Sequence, residues 1–126
     1  MNTINEAPNL GDLLKYEEDS LRYSREVATV AAGQNLELGA VVARETASGK
    51  LKQLDPAASD GTEVAAGILL LAVDASLMDV AGSLLLSRHA VVASSAVIWP
   101  VGISASDQTA ATDTLATLGI LIRQSA

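Results

Sequence analysis

The segment ETASGKL (Glu45–Leu51) places a lysine directly after a glycine, a pairing that phosphate-binding loops use to reach a terminal phosphate. Such a loop also needs a glycine five residues before that glycine and a Ser or Thr after the lysine. Here those positions hold Arg44 and Leu51, so Ala47-Ser48-Gly49 predicts a hairpin turn instead. His89 is the single histidine and the chain has no cysteine. A zinc site would need several carboxylates to converge on that ring, and no spacing brings them there. The serines lack a GxSxG elbow, and every triad would have to share His89, which is expected to be an ordinary strand residue. Asp55, Asp60 and Glu63 fall in DPAASDGTE without the D-x-[DN]-x-[DN]-G spacing of a calcium loop. Turn formation accounts for them, because Pro56 fixes φ and Asp60-Gly61 is a favourable turn pair. Trp99, the single tryptophan, is expected to anchor a core or a subunit interface rather than serve as a ligand platform. These residues predict no catalytic site, cofactor or metal, and so no enzyme.

The elements around these residues read as mostly β with one late helix. VATVAAGQNLELGAVVARE predicts two short strands, with Gly33-Gln34-Asn35 as turn and Gly39 as a second break. ETASGKLKQL predicts a hairpin returning through Leu51 and Leu54, followed by the loop Asp55–Glu63. VAAGILLLAV (Val64–Val73) is nearly continuous in apolar residues and predicts the most buried strand. ASLMDVAGS is expected to be a loop, and SLLLSRHAVVAS and SAVIWPV two further strand-like runs. The second of these should stop at Pro100, which has no N–H to donate, or lie on an edge. Ser104 predicts an N-cap with Asp107 three residues on, Ala111, Leu115 and Leu118 a buried helical face, and Gly119 its end. GILIR then predicts a short terminal strand.

The length of 126 residues fits one domain. With no Phe, one Trp and two Tyr, the core must be built from Leu, Val, Ile and Ala, and it buries less area per residue than an aromatic core would. A net charge of −7 with scattered basic residues argues against nucleic acid and against anionic membranes. MNTINEAPNL has neither a basic start nor an apolar stretch of signal-peptide type, and Val64–Val73 is far short of the roughly 20 residues of a membrane helix. A soluble chain made inside the cell is the expectation. The first 26 residues differ from the rest, with six acidic and three basic side chains. Within them Leu10, Leu13 and Leu14 stand at helical spacing and predict a short amphipathic turn.

Several blocks, in order, carry a family resemblance: NLGDLLKYE, YSREVATVAAGQNLELGAVVAR, SGKLKQLDPAASDGTEVAAGILL, VIWP and LGILIR. With them the chain resembles the head decoration protein D family of lambda-like tailed bacteriophages, from Asn9 to Arg123. The resemblance implies a small single β-rich domain of β-clip type with one C-terminal helix and a flexible N-terminal arm. It implies a capsid cementing protein that sits as a homotrimer on the outside of the expanded head, at three-fold and quasi-three-fold positions. There it would bind the major capsid protein and stabilise the shell against packaged DNA. The place implied is the virion surface, with the host cytoplasm during assembly, and no direct contact with nucleic acid or membrane. Residues 1–26 are then expected to form the capsid-docking arm and residues 27–126 the decoration domain. Leu10, Leu13, Leu14 and Tyr16 are the candidate capsid contacts, and Trp99 and Pro100 the candidate trimer interface. The rival reading is a soluble β-rich module for carbohydrate or host surfaces, for which three aromatic residues offer few stacking platforms.

Overall fold

Alternation of side chains across a strand puts neighbouring residues on opposite faces, so a run that is apolar throughout must be covered on both sides. That condition organises the whole molecule. In a computed structural model, which describes residues 10–17 and 24–124, the described residues form ten strands and two α-helices. In chain order these are α1 (Leu10–Leu13), β1 (Leu14–Glu17), β2 (Arg25–Val30), β3 (Gln34–Leu36), β4 (Val41–Arg44) and β5 (Leu51–Gln53). They continue with β6 (Ala65–Leu69), β7 (Val73–Ala75), β8 (Val80–Leu86), β9 (Ala90–Ala93), α2 (Ala105–Thr117) and β10 (Ile120–Arg123). The fold is mainly β with one helix near the C-terminus.

Five strands close into a barrel in the order β2-β5-β4-β6-β8. Its lumen holds Val30, Val42, Leu51, Leu69 and Leu85. The residues next to these in sequence, Val41, Ala43, Ile68 and Leu86, belong to a second apolar cluster on the barrel's outside. A three-stranded sheet, β1-β9-β10, and α2 close over that second cluster through Leu13, Val92, Ile120, Ala111 and Leu115. Two cores sharing one set of strands explain why GAVVAR and GILLL carry no polar alternation. Val, Leu, Ile and Ala fill both cores, with Trp99 only packing against the outer one.

The barrel is unevenly sealed. β2 and β8 run antiparallel over five partner pairs, whereas β2 meets β5 in parallel at the single pair Val30–Leu51, continued by the Ala31 N–H donating to Leu51 O. Glu26 on β2 accepts from two arginines, Arg44 at the end of β4 on one carboxylate oxygen (2.6 Å) and Arg88 just past β8 on the other (2.5 Å). All three side chains are partly exposed, so each pair contributes only ~0–1 kcal/mol.

Ser83, opposite Ala28 in the β2–β8 ladder, is the one buried side-chain oxygen without a hydrogen bond among the described residues. A buried hydroxyl left unpaired costs about 1–3 kcal/mol. Ser83→Ala is therefore expected to stabilise the chain by ~1 kcal/mol, visible as a higher urea midpoint with unchanged slope. A lower midpoint would mean that the hydroxyl has a partner.

Several sequence expectations hold in detail. Ser104 Oγ accepts the Asp107 N–H at 3.1 Å, α2 buries Ala111 and Leu115, and the Gly119 N–H closes the helix end on Ala116 O. The Glu45–Lys50 turn joins β4 to β5 with Arg44 opposite Leu51. Other expectations need correction. ASLMDVAGS is not a loop throughout: β7 ends at Ala75 and β8 begins at Val80, because pairing with β2 (Val80 with Val30, Ser83 with Ala28) outweighs the poor strand propensity of Gly82 and Ser83. Val64–Val73 is split by a bend after Leu69. SLLLSRHAVVAS is two strands broken at Ser87–His89, and His89 is a turn residue with φ 44 instead of a strand residue. SAVIWPV is a 3₁₀ turn at Ser94–Ala96 followed by a single parallel bridge, Ile98 to Ala40. Gln34 and Asn35 are strand residues, leaving the turn to Gly33.

Candidate functional site

The residues that suggested chemistry are all engaged in local structure. Gly49 and Lys50 complete the β4–β5 turn, with Gly49 N–H on Glu45 O and Lys50 Nζ 2.5 Å from Asp79. Asp55 accepts the Ala57 N–H, Asp60 accepts both the N–H and the hydroxyl of Thr62, and Glu63 accepts the Gly61 N–H. These are turn-forming contacts, as their sequence setting predicts. His89 is exposed and stands against Gly119, its N–H donating to Leu118 O. Among the described residues no three of His, Asp and Glu gather as a metal site, and no helix is long and apolar enough to cross a membrane. An open cleft lies between the Asp55–Thr62 loop and the start of α2, lined by Lys52, Asp55, Asp60, Thr62, Ser104 and Asp107.

Four carboxylates are held below the ordinary carboxylate range by hydrogen bonds. Asp79 is lowered first by Lys50 and then by the Ala32 N–H, and Asp60 by the hydroxyl and N–H of Thr62. Asp74 is lowered by the hydroxyl and N–H of Ser76, and Glu45 by the Ser48 hydroxyl and then by Lys52. Depressed folded-state values stabilise the fold above the unfolded values near pH 4, and that stability is lost as pH falls through the lower folded ones. The urea midpoint should therefore stay level from pH 7 to 5 and fall below about pH 4. Asp79→Asn should make that fall shallower, and an unchanged slope would contradict the assignment to Asp79.

The four leucine and tyrosine positions near the start of the chain do not share one environment. Leu13 is 0% exposed and belongs to the outer core, while Leu10 and Leu14 are half-buried against it. Tyr16 is 57% exposed. The helical spacing of the leucines is a real turn, α1, and the chain passes straight from it into β1, which pairs antiparallel with β9. Arg25 at the start of β2 grips Glu17 at the end of β1 through two bonds of 2.8 and 2.6 Å. Residues 10–17 and Arg25–Glu26 are therefore packed together with the rest of the described fold. Met1–Asn9 and residues 18–23 lie outside the described residues.

β1 has a neighbour on one side only, so its second edge is open within the described sheet. Trp99 and Pro100 are half-buried, Trp99 resting on the outer core, and next to them Val101 projects fully from the Pro100–Ile103 turn. A second exposed apolar pair went unnoticed in the sequence. Leu77 (94% exposed) and Met78 (68%) cap the β7–β8 connection, which is fixed by Asp74 on Ser76 and by Asp79 on Ala32 and Lys50. The signal was present as two turn-forming aspartates flanking a Leu-Met pair.

No curated protein sequence matches the chain. The family model described as bacteriophage lambda head decoration protein D does match, over residues 3–120 of the 126. That span takes in α1, the barrel, β1, β9 and α2, and stops at the first residue of β10. A β-rich body whose would-be catalytic residues are spent on turns, matched to this family over nearly its whole length, identifies the chain as a member of the bacteriophage lambda head decoration protein D family.

Proposed function

We propose that the protein binds the outside of the expanded phage head as a homotrimer and stabilises the shell against the pressure of packaged DNA. The family match over residues 3–120 carries this reading. In it, the N-terminal stretch to Glu26 meets the major capsid protein. Tyr16 and half-buried Leu10 are the contacting side chains, and Leu13 and Leu14 hold α1 and β1 on the outer core beneath them. The open edge of β1 supports that role, since an extended segment of a partner can add to a sheet edge through backbone hydrogen bonds. Trp99 and Pro100, beside the projecting Val101, are the proposed contact between copies. Three contacts per trimer raise attachment well above that of one, because each later contact forms at high effective concentration.

Two measurements test this. Sedimentation equilibrium should give a mass three times the 12.9 kDa chain, and a monomer at all concentrations would rule out the trimer. DNA-filled heads warmed with and without the protein should keep their DNA to higher temperature when decorated. Equal release would remove the cementing role. A truncation used to probe the arm should stop at Asn9, because removing residues 1–26 also removes Leu13 from the core and the Glu17–Arg25 pair.

A further inference from the structure

The three-stranded sheet has one face on the outer core and another that nothing described covers. Strand register sorts its side chains. Leu14, Val92 and Ile122 are cross-strand partners, and all three pack in or against the core, with Ala90 and Ile120 beside them. Tyr16, Val91 and Leu121 are partners in the next row. Val91 and Leu121 point the other way by strand alternation. Tyr16 joins their row because the β1 register shifts by one residue, as in a β-bulge, between Leu14 and Tyr16. None of the three belongs to either apolar cluster. Tyr16 is 57% and Leu121 36% exposed, with half-buried Val91 between them. Residues directly opposite in adjacent strands stand about 4.5–5.5 Å apart, so the three form a continuous apolar row across the sheet. Arg123, exposed and two residues beyond Leu121, shares that face, and exposed Lys15 precedes Tyr16. Glu17, at the end of the same strand, is held by Arg25.

Resting on the capsid reading, we infer that the Tyr16–Val91–Leu121 row receives an apolar segment of the shell protein that carries a carboxylate for Arg123. Two features select this occupant over a second copy of the chain. A tyrosine buries roughly 150–250 Å² when fully covered, so three side chains that are already partly covered fall well short of the ~800 Å² per partner of a stable pair. The row therefore acts as one contact among several on a lattice. Two copies meeting through this face would also bring the Arg123 of each toward the same positive charge on the other, whereas an acidic partner segment is attracted. Arg123 puts a positive charge on this face of a chain of net charge −7, and the face continues directly from the open edge of β1.

The test uses the full chain with expanded, undecorated heads. The double variant Tyr16→Ser/Leu121→Ser should bind about tenfold or more weakly, and Arg123→Glu should also bind more weakly, most clearly at low salt. Leu77→Ser, at a still more exposed apolar residue on the β7–β8 connection, should bind as the unaltered chain does. Thermal melts accompany each variant, and Arg123→Glu, a surface charge change, carries the test if the double variant fails to fold. Normal binding by folded double and Arg123→Glu variants overturns the inference while the decoration role stands. Failure of the unaltered chain to bind removes both. Equal weakening by Leu77→Ser overturns the assignment to this face. So does a change in oligomer mass confined to the double variant, which would make the row a contact between copies.

Discussion

Leu13→Ala is expected to lower the stability of the free chain by about 2–5 kcal/mol, one of the largest effects of any single substitution in the molecule. Leu13 lies on a four-residue helix that could not persist alone, since isolated helices shorter than about 12–15 residues are marginal in water. What holds α1 is the burial of this one side chain, 0% exposed, among Val92, Val97 and the other residues of the outer core. Truncation loses the transfer free energy and leaves a cavity beneath β1 and β9. Tyr16→Ala, three residues on and largely exposed, should change stability by roughly 0.5 kcal/mol or less. Urea denaturation of the two variants measures the contrast directly. If both unfold at the same midpoint as the unaltered chain, residues 10–17 are not part of the folded body.

Gly39→Ala is the second large effect, expected at roughly 2–5 kcal/mol. Gly39 has φ 96, which disfavours any side chain, and a Cβ there would come within 2.4 Å of Ala96 O. The position joins two parts of the chain. Its N–H donates to Leu69 O, its carbonyl accepts from Ile98, and Ile98 O accepts in turn from Val41. An added methyl group must push the Ser94–Ile98 segment away from the barrel, carrying Trp99 with it. Gly33→Ala supplies the comparison, because Gly33 has a similar φ of 93 with open space around it, so only the backbone strain of ~1–2 kcal/mol applies. A larger loss at Gly39 than at Gly33 isolates the close approach. Equal losses would mean that the Ser94–Ile98 segment yields freely.

Much of this architecture was legible where local chemistry decides it. The N-cap at Ser104, the buried face of α2, the turn at Glu45–Lys50 and the Asp55–Glu63 loop follow from side chains bonding to their own neighbourhood. Apolar runs were readable as buried segments, but their division into strands was not. Whether Leu69 faces the lumen and Ile68 the outer core depends on which strands flank β6, and sequence alternation is silent when both faces are buried. Val80–Ser83 looked like loop because its strand character comes from β2 across the ladder. The site was legible in part. Leu10, Leu13 and Leu14 were found by their spacing, yet spacing alone could not separate the core residue Leu13 from the exposed Tyr16. Val91 and Leu121 carry no signal at all until the β1-β9-β10 register aligns them with Tyr16.

The head-decoration role itself is tested most directly by mixing the purified chain with expanded heads that lack their decoration protein, pelleting them, and counting bound copies per shell subunit. Saturation at a fixed ratio, with the chain left in solution when the heads are omitted, is the predicted result. A chain that stays in the supernatant at every concentration on matched heads would contradict it.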